Sequence, residues 1–438
     1  MKKLIVLATI FVTGICNAQT WSALGTGADT VMALTVYNGN LIAGGYFRNA
    51  GGVPASAVAS WNGSSWDSLG SGVRLGSSIV SNVYALSTFN NNLYVGGYFD
   101  YAGQYFSDHF AEWNGISWDS LGPIESSCMV LSLTNYNGQE IIGGEFVNAG
   151  WTNANHIAAW DGANWYALGA GLNMSVNAMV VYKGNLIVAG MFDSAGGVPA
   201  NYIAEWNGSS WSQLGTGLNN TVFALAVYNG NLYAGGVFDS AGGVFASAIA
   251  EWNGTKWTSL TSGISYGFVE ALTVYNGSLI VGGAFASAGS IIANNIAAWN
   301  GTTWTNVGAG VNAPVMALAV YSGNLYAGGY FTQAGSIHAN GIAEWSEPLG
   351  INEIEHTANA ALYPNPNTGQ FTIESSVVSG ESTIEIYNML GEKIYSKQLT
   401  IVNSQLLIDI GAKSPGVYLY SLINENGGQI ANGKFVIE

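Results

Sequence analysis

Nine side chains distinguish loops that are otherwise alike in sequence, and they are the residues best equipped for ligand chemistry. They are Arg48, Tyr101, Tyr105, Asp108, His109, Trp151, His156, Tyr202 and His338. An aromatic ring near amide and carboxylate groups suits stacking on a sugar ring while hydrogen-bonding its hydroxyls. Trp151 is the strongest candidate, because it alone among the tryptophans lies outside the regular tryptophan pattern. The alternative is a loop aromatic that packs on its neighbour.

Metal binding and catalysis receive little support from the residue pattern. Asp108, His109 and His156 come from adjacent repeats but lack ligand-type spacing, so we interpret them as surface polar residues and predict no metal. No nucleophile elbow, phosphate loop, zinc pattern or dinucleotide fingerprint is present, so we predict no catalytic residue and no cofactor. A glutamate recurs just before a tryptophan at Glu112, Glu205, Glu251 and Glu344. Recurrence favours a structural partner, such as hydrogen bonds between repeats, over paired catalytic carboxylates.

A repeat of about 46 residues must position these loops. Its first mark is a tryptophan pair with four residues between the partners, at Trp61/Trp66, Trp113/Trp118, Trp160/Trp165, Trp206/Trp211, Trp252/Trp257 and Trp299/Trp304. Its second mark is a glycine 16 residues before the first tryptophan, at Gly45, Gly97, Gly144, Gly190, Gly236, Gly283 and Gly329. The last of these precedes Trp345, so the unit occurs seven times.

Each repeat reads as four short strands. Residues 222–238 alternate between apolar and polar side chains around Asn229-Gly230, a pair that favours a tight hairpin turn. A second hairpin turns at Asn253-Gly254. Period-2 alternation with paired turn signals excludes helical repeats, and four strands per unit predict the blade of a β-propeller. We therefore expect an all-β protein whose residues 19–345 form a seven-bladed β-propeller.

The two ends of the repeat array predict how it closes. Trp21 is the second member of a pair with no partner before it, whereas Trp345 is a first member with no partner after it. We expect residues 21–25 to form the outer strand of the last blade, which removes free sheet edges. The tight hairpins then lie on one face of the disc. The longer loops, including the insertion near Val73 to Ser81, lie on the other face, where we expect a site at the loops or at the channel mouth.

The glycine and tryptophan positions resemble those of kelch-type propellers. In place of the regular kelch tyrosine, a phenylalanine follows the glycine by two residues at Phe47, Phe99, Phe146, Phe192, Phe238, Phe285 and Phe331. Some kelch-type propellers are copper oxidases whose site uses tyrosine, cysteine and histidine. Cys128 has no evident tyrosine and histidine set around it, so that site is not carried over.

The first 18 residues have the three parts of a secretory signal peptide. Lys2 and Lys3 precede an apolar run from Leu4 to Ile15, and Ala18 predicts cleavage after itself. Lipidation at Cys16 is a weaker alternative, because Ile15 occupies a position that wants a small residue. Cys128 is then the only thiol, and we interpret it as a small buried hydrophobic residue in preference to a reactive thiol.

Composition excludes several classes of function. The chain is 49% hydrophobic, but Gly, Asn and Ser interrupt every apolar stretch before it reaches the ~18 residues of a membrane span. Ten basic and 26 acidic residues give a net charge of −16, which disfavours nucleic acid and anionic membranes as partners. We expect a monomer. The sequences around Ser194 and Ser240 resemble the O-glycan acceptor motif of exported Bacteroidetes proteins.

The composition changes after Trp345. Residues 346–361 read as a polar linker, and residues 362–438 resemble the type A sorting domain of the type IX secretion system of Bacteroidetes. The resemblance rests on "LYPNPNTGQFTI", "IEIYNMLGEKIYSKQL", "IDIGAKSPGVYLYSLI" and "GKFVIE" in order. It includes Tyr363, Pro364, Asn365, Pro366, Gly369, Gly391, Gly416, Tyr418, Gly433 and Lys434. It implies a small immunoglobulin-like β-sandwich, recognition by the secretion machinery, and then anchoring or release.

Three functions remain open from the sequence. The first is an exported module at the outer-membrane surface or in the medium that binds a glycan or a protein. The second is an extracellular enzyme that acts on polysaccharide or oxidises a sugar. The third is a structural or adhesion protein whose repeats are themselves the function. We favour the binding module.

Overall fold

A computed structural model describes residues 20–76, 81–122, 124, 128–346, 360–375, 380–388, 392–401, 405–411, 413–424 and 429–438. These residues form strands and no helix, so the predicted all-β class is confirmed. Accordingly, the described part has no helix that could span a membrane. The chain divides into two compact units, residues 1–348 and 349–438. The predicted signal peptide, most of the predicted linker and Gly391 lie outside the described residues, and the predicted domain bounds stay predictions.

Among the described residues of the first unit, the main elements are seven antiparallel sheets, sheet 1 to sheet 7, each with four strands a to d in spatial order; in sheet 1 a fifth, two-residue strand also pairs with strand b. Strands a are Ala28–Tyr37, Asn82–Phe89, Met129–Tyr136, Val176–Tyr182, Val222–Tyr228, Phe268–Tyr275 and Val315–Tyr321. Strands b are Asn40–Ala50, Asn92–Tyr98, Gln139–Glu145, Asn185–Gly190, Asn231–Gly236, Ser278–Ala284 and Asn324–Gly329. Strands c are Val58–Trp61, Phe110–Trp113, Ile157–Trp160, Ile203–Trp206, Ile249–Trp252, Ile296–Trp299 and Ile342–Ser346. Strands d are Trp66–Ser68, Trp118–Ser120, Trp165–Ala167, Trp211–Gln213, Trp257–Ser259, Trp304–Asn306 and, in sheet 7, Thr20–Ala23.

Sheet 7 combines strands from both ends of the first unit. Thr20–Ala23 pairs antiparallel with Ile342–Ser346, and Trp21 lies opposite Trp345. The centroids of these two indole rings are 5.2 Å apart. The sequence placed this strand at residues 21–25, and the structure places it at 20–23.

The sheets follow one another in a closed order around a central channel. Each strand a contacts the strand a of the next sheet, and that of sheet 7 contacts that of sheet 1. The double glycines permit this approach. A Cβ on Gly44 would lie 2.4 Å from Cγ1 of Val83 in the next sheet. A Cβ on Gly45 would lie 2.1 Å from the carbonyl oxygen of Thr30 in its own sheet. Close packing therefore requires glycine at the second position, whereas the first position holds Ala189 in sheet 4.

The tryptophan pairs pack within and between sheets, as their recurrence predicts. Their ring centroids are 5.0 to 5.4 Å apart with interplanar angles of 45° to 53°. In sheets 1 to 5 the strand-d indole nitrogen donates to a leucine carbonyl oxygen of the preceding sheet. In sheet 1, for example, Trp66 Nε1 lies 2.8 Å from the Leu24 oxygen.

The recurrent glutamates have partners within their own sheets. Asn92, Asn185, Asn231 and Asn324 of strands b donate to Glu112, Glu205, Glu251 and Glu344 of strands c. A structural role was expected, but the suggested hydrogen bonds between repeats are wrong. The partners share a sheet because strand b begins directly opposite the end of strand c.

Short two-residue strands follow strand b in every sheet. They are Val53–Pro54, Tyr101–Ala102, Tyr105–Phe106, Asn148–Ala149, Thr152–Asn153, Ser194–Ala195, Val198–Pro199, Ser240–Ala241, Val244–Phe245, Ser287–Ala288, Ile291–Ile292, Gln333–Ala334 and Ile337–His338. Val73–Arg74 and Ile264–Ser265 pair with the first strands of two of these small hairpins. Each hairpin lies over strand d: a Cβ on Gly51 would be 2.2 Å from Cδ1 of Trp66.

The second unit has two antiparallel sheets around one apolar core. Its first sheet contains Ala360–Tyr363, Gln370–Ser375 and Gln405–Asp409. Its second contains Lys393–Ile401, Gly380–Tyr387, Gly416–Asn424 and Gln429–Ile437 in spatial order. Phe371 and Ile408 of the first sheet join Ile384, Leu422 and Phe435 of the second in the core.

Candidate ligand-binding site at the channel mouth

Every strand a contains a β-bulge between a buried valine and a small residue. The register shifts between Val83 and Ala85 in sheet 2, for example, and between the equivalent residues in the other sheets. The bulged residues are Met32, Tyr84, Leu131, Asn177, Phe223, Glu270 and Met316. A bulge re-aims its side chain and often adjoins a functional site. All seven bulged residues are partly exposed, whereas the flanking valines are buried.

A second variable position adjoins the bulge on strand b. It is the residue between the second glycine and the recurrent phenylalanine: Tyr46, Tyr98, Glu145, Met191, Val237, Ala284 and Tyr330. In sheet 2, Tyr98 pairs with Asn82, two residues before the bulged Tyr84. We call these seven residues and the seven bulged residues the mouth set. Successive strands a contact one another, and two members of the mouth set, Tyr84 and Leu131, line a cavity between these strands.

A cavity lies between the strands a of several sheets. Its volume is about 220 Å³, and it is lined by strand-a residues of sheets 1, 2, 3, 4 and 7, including Tyr84, Leu86, Leu133, Met179 and Leu318. These lining positions come from different sheets and meet only because the sheets close into a ring.

Tyrosines dominate one side of the mouth. Tyr330, Tyr46, Tyr84 and Tyr98 come from sheets 7, 1 and 2. Burial raises the pKa of Tyr84, and the nearby phenols of Tyr330 and Tyr98 raise it further. Tyr46 and Tyr330 are 46% and 48% exposed, so their rings are accessible to a ligand. The imidazole of His109 stacks on Tyr98 with centroids 5.4 Å apart and planes 6° apart.

Sheets 4 to 6 contribute a carboxyl group, two phenylalanine rings and an amide to the inner strands. Glu270 is the bulged residue of sheet 6, and burial raises its pKa to about 7. Phe223, the bulged residue of sheet 5, and Phe268 of sheet 6 make an edge-to-face contact with their ring centroids 6.3 Å apart. Asn177 Nδ2 donates to the carbonyl oxygen of Val222 at 3.1 Å. The mouth set has two acids, Glu145 and Glu270, and no Lys, Arg or His.

Three predicted site residues, His109, His156 and Tyr202, occupy one repeat position just before strand c. Their φ angles are 70°, 71° and 63°. Each backbone N–H donates to the recurrent phenylalanine and each carbonyl accepts from the second glycine of its sheet. Ala57, Ala248, Asn295 and Gly341 make the same two bonds in the other sheets. This position is therefore a backbone junction of the repeat.

The interpretation of Asp108 and His109 as surface polar residues is wrong. Their side chains are only 7% and 1% exposed, because they directly precede the buried residues of strand c. Burial lowers the pKa of His109, which keeps its imidazole neutral at pH 7. His109 stacks on Tyr98 and is buried, so its ring is not accessible to a ligand. His156 Nδ1 lies 3.2 Å from the Gly144 carbonyl oxygen.

The remaining predicted residues lie on the small hairpins or at their edges, over the outermost strands. Trp151 is 100% exposed, so it does not pack on a neighbouring residue. Tyr105 is 45% exposed, and Arg48 and His338 are also exposed. Tyr101 is engaged, because the Arg74 guanidinium lies 3.9 Å above its ring. These side chains come from separate hairpins on sheets 1, 2, 3 and 7, and the structure brings none of the others to Trp151.

Sequence reasoning missed the mouth set, although a signal was present. The flanking pattern of valine, then alanine or serine, then leucine or methionine recurs in all seven repeats, while the residue after the valine differs in kind. The same holds for the residue between the second glycine and phenylalanine. Variation inside an otherwise constant pattern is the signal that points to these positions.

A second buried carboxyl interrupts the repeat between sheets 2 and 3. Glu140 is 0% exposed at a position where the other six sheets have leucine. Ser87 Oγ donates to Glu140 Oε2 at 3.2 Å, and Asn135 Nδ2 donates to Ser87 Oγ at 3.1 Å. Glu140 Oε1 has no hydrogen-bond partner among the described residues. Burial raises the pKa of Glu140 to about 8.

Metal ligands do not cluster in the part of the chain that the structure describes. Cys128 immediately precedes strand a of sheet 3, is partly buried, and packs against the apolar cluster that includes Val130 and Ile142.

The predicted sorting residues lie around the C-terminal strand of the second unit. The Asn367 N–H donates to the Val436 carbonyl oxygen, and the Glu438 N–H donates to the Asn367 carbonyl oxygen, both at 2.9 Å. A Cβ on Gly433 would lie 2.7 Å from the Tyr420 ring. Tyr418 donates to the Ser414 carbonyl oxygen at 2.7 Å. Tyr363, Pro364, Asn365, Pro366 and Lys434 are exposed.

Residues 361–438 match the family described as "Secretion system C-terminal sorting domain". The match confirms a type IX sorting signal of the Bacteroidetes kind. It indicates a secreted or cell-surface protein that the type IX secretion system delivers. No curated protein matches the chain.

Several solved structures are similar over most of the chain. PorZ, an essential surface component of the type IX secretion system of Porphyromonas gingivalis, is 14% identical, with 94% of this chain and 59% of PorZ covered and a TM-score of 0.48. The extracellular domain of the putative one-component system BT4673 of B. thetaiotaomicron is 12% identical, with 96% and 57% covered and a TM-score of 0.49. A fungal alcohol oxidase of the AA5 family, in complex with copper, is 10% identical, with 96% and 99% covered and a TM-score of 0.44. The chain thus spans less than two thirds of the length of the first two.

Proposed function

We propose that the first unit is a kelch-like seven-bladed β-propeller that binds a ligand at the loop-face mouth of its channel. The signal peptide of residues 1–18 would start its export, and the sorting domain would complete delivery to the cell surface or the medium. The seven four-stranded sheets and the closed contact order of their strands a support the propeller. The proposed ligand is a glycan or a protein.

The observation that carries the binding function is the contrast inside the repeat. Residues that pack the sheets recur seven times, whereas the two channel-facing positions hold tyrosine, phenylalanine, methionine, asparagine, glutamate, leucine, valine or alanine. Packing alone does not require this diversity at two adjacent, partly exposed positions. A convergent set of aromatic and polar groups at a concave site is what ligand recognition requires.

The test is a screen of the secreted full chain against a glycan array and against proteins of the culture medium. The paired variants are Tyr84→Ala at the mouth and Trp151→Ala on the small hairpin of sheet 3. We expect a ligand whose binding is lost in the first variant and retained in the second. If every ligand found binds Tyr84→Ala as tightly as wild type, the proposed site is wrong.

An enzyme acting on extracellular sugars is the second candidate, and Glu270 is the observation in its favour. A carboxyl group whose pKa is raised to about 7 is suited to acid or base chemistry near neutral pH. Turnover of a bound saccharide that Glu270→Gln abolishes without weakening binding would favour the enzyme. Binding without turnover favours the module. With a purely structural or adhesion role, neither binding nor turnover of a saccharide should be detected.

The sorting function has a separate test. Deletion of residues 362–438 should leave the first unit folded but retained in the periplasm, because the matched sorting domain is absent. Fractionation and surface proteolysis of cells measure this directly. Continued surface display of the truncated chain would count against delivery by this tail.

A further inference from the structure

Two cavities between neighbouring sheets have the same construction, two repeats apart. The first, of about 340 Å³, is lined by the backbone junction of sheet 4, the connection that follows that sheet, and the small hairpin of sheet 5. The second, of about 310 Å³, is lined by the same parts of sheets 6 and 7. We call them the junction cavities. Asn201, Tyr202, Asn219 and Ser240 line the first at the positions where Asn294, Asn295, Asn312 and Gln333 line the second.

The asparagines of the junction cavities are held in fixed positions by the backbone. Asn201 Nδ2 donates to the Thr216 carbonyl oxygen at 3.0 Å. Asn219 Oδ1 accepts from the backbone N–H groups of Asp239 and Ser240 at 3.1 and 3.0 Å. The equivalent bonds are present in the second cavity. Because a carboxamide has two N–H donors and two acceptor lone pairs, each of these asparagines retains hydrogen-bonding groups for a ligand.

The backbone around the junction cavities is paired within the protein. The Leu218 N–H donates to the Asn201 carbonyl oxygen at 3.1 Å, and the Gly242 N–H donates to the Gly217 carbonyl oxygen at 2.8 Å. The second cavity has the same bonds. A peptide that binds by adding a strand requires unpaired backbone groups at a sheet edge. The groups that these cavities offer are instead side-chain amides and hydroxyls.

Within the part of the chain that the structure describes, no charged side chain lines either junction cavity. Asp239 borders the first cavity, and Thr332 has its place at the second. Arg48 and Arg74 belong to sheet 1 and to the connection after it, and His338 is outside the lining of the second cavity. A charged ligand would therefore lose hydration in these cavities without gaining a counter-charge from their lining.

We propose that the junction cavities are two equivalent subsites for uncharged sugar units. Sugar hydroxyls donate and accept hydrogen bonds, as the carboxamides, Ser240 and Gln333 do. Both volumes lie at the lower end of the range of small-ligand sites, which begins at ~300 Å³. The inference goes beyond the proposed function, because no residue of the mouth set lines either cavity.

The test counts binding sites on the full secreted chain by titration calorimetry. The probes are tetrasaccharides of glucose, of galactose and of mannose, together with a galacturonate tetrasaccharide. Tyr202→Ala alters the first cavity, and alanine already holds this junction position in sheets 1 and 5. Gln333→Ala alters the second, and the Gln333 side chain is exposed. Thermal unfolding verifies that each variant is folded.

We expect at least one neutral tetrasaccharide to bind. Each single variant should remove one site per chain or weaken it by about 10-fold or more, and the double variant should lose both sites. Tyr84→Ala and Trp151→Ala should retain both sites, which separates this proposal from binding at the mouth. No binding of the three neutral probes, a preference for galacturonate, or unchanged binding in the double variant overturns the proposal. Binding that only Tyr84→Ala abolishes overturns it while supporting the proposed function.

Discussion

The packed interior of the sheets and the mouth set follow opposite rules within the same seven repeats. In the interior, the second glycine is the same residue in every sheet, because a Cβ there would lie 2.0 to 2.1 Å from a backbone oxygen. In the mouth set, two positions directly beside that glycine vary from alanine to tyrosine. The difference teaches that close backbone approach limits residue choice, whereas a side chain that projects into an open channel is constrained only by what it meets there.

The contact between sheets 2 and 3 departs from the uniform packing of the interior. Its leucine position holds Glu140, which accepts a hydrogen bond from Ser87 through one oxygen and leaves the other without a partner among the described residues. A buried carboxyl with an unmet acceptor destabilises the fold relative to leucine. The packed interior therefore contains one position whose chemistry packing does not explain.

Removal of the closing strand should have the largest effect. Deleting residues 19–26 removes strand d of sheet 7 and the buried Trp21, and leaves the edge of Ile342–Ser346 open. We expect a loss of unfolding free energy greater than the ~3–5 kcal/mol of a single buried tryptophan truncation. Thermal or urea unfolding measures it, with Trp304→Ala as the single-tryptophan control. An unchanged transition would show that this strand does not close the ring.

The two glycines of sheet 5 provide a matched pair for the packing rule. A Cβ on Gly236 would lie 2.1 Å from the Thr221 carbonyl oxygen, and a Cβ on Gly235 would lie 2.4 Å from Val269 Cγ1. Sheet 4 already has Ala189 at the position of Gly235. We therefore expect Gly236→Ala to cost about 3 kcal/mol or more and Gly235→Ala about 1–2 kcal/mol in urea unfolding. Equal losses would contradict the backbone explanation.

Glu140→Leu should remove a pH dependence of stability. The folded protein keeps Glu140 protonated up to a pKa of about 8, whereas the unfolded chain releases this proton near 4.5. The unfolding free energy therefore falls as pH rises between these values, by at most ~1.4 kcal/mol per pH unit. By pH 7, most of the loss of stability that comes from ionisation of Glu270, whose pKa is about 7, has already occurred. The change in unfolding free energy between pH 7 and 8 therefore comes mainly from Glu140.

Urea unfolding at pH 7 and pH 8 measures the difference. Wild type and the control Glu270→Gln should lose stability across this window, and Glu140→Leu should lose much less. Leucine fits the site, since it occupies the position in the other six sheets. The same slope in Glu140→Leu as in wild type would mean that Glu140 is ionised in the folded protein.

The smallest effect on stability is expected in the mouth set. Tyr46 and Tyr330 are about half exposed, so Tyr46→Ala and Tyr330→Ala should each change the unfolding free energy by less than ~1 kcal/mol. The same substitutions should weaken ligand binding. A large loss of stability would assign these tyrosines to packing and remove the contrast between the two regions.

The strands and their order could be predicted from local patterns. Alternating apolar residues and turn pairs such as Asn229-Gly230 act within a few neighbours, and strands a and b of sheet 5 lie at Val222–Tyr228 and Asn231–Gly236 as that pattern implies. The candidate site was less accessible. Trp151 attracted attention by its residue type, yet it projects alone from a small hairpin, whereas Tyr84 attracted none and lies at the channel.

By itself, the sequence determined the all-β class, the repeat, the strand that joins both ends of the first unit and the sorting tail, because each depends on periodicity, turn chemistry or ordered motifs. Only the tertiary structure decided that His109 is buried, that the recurrent glutamates bond within their own sheets, and that the bulged Tyr84 and Leu131 line one cavity. The physical reason is that a bulge is defined by the count of residues on its partner strand, and burial by the neighbouring sheet. Neither quantity is a property of a local stretch of chain.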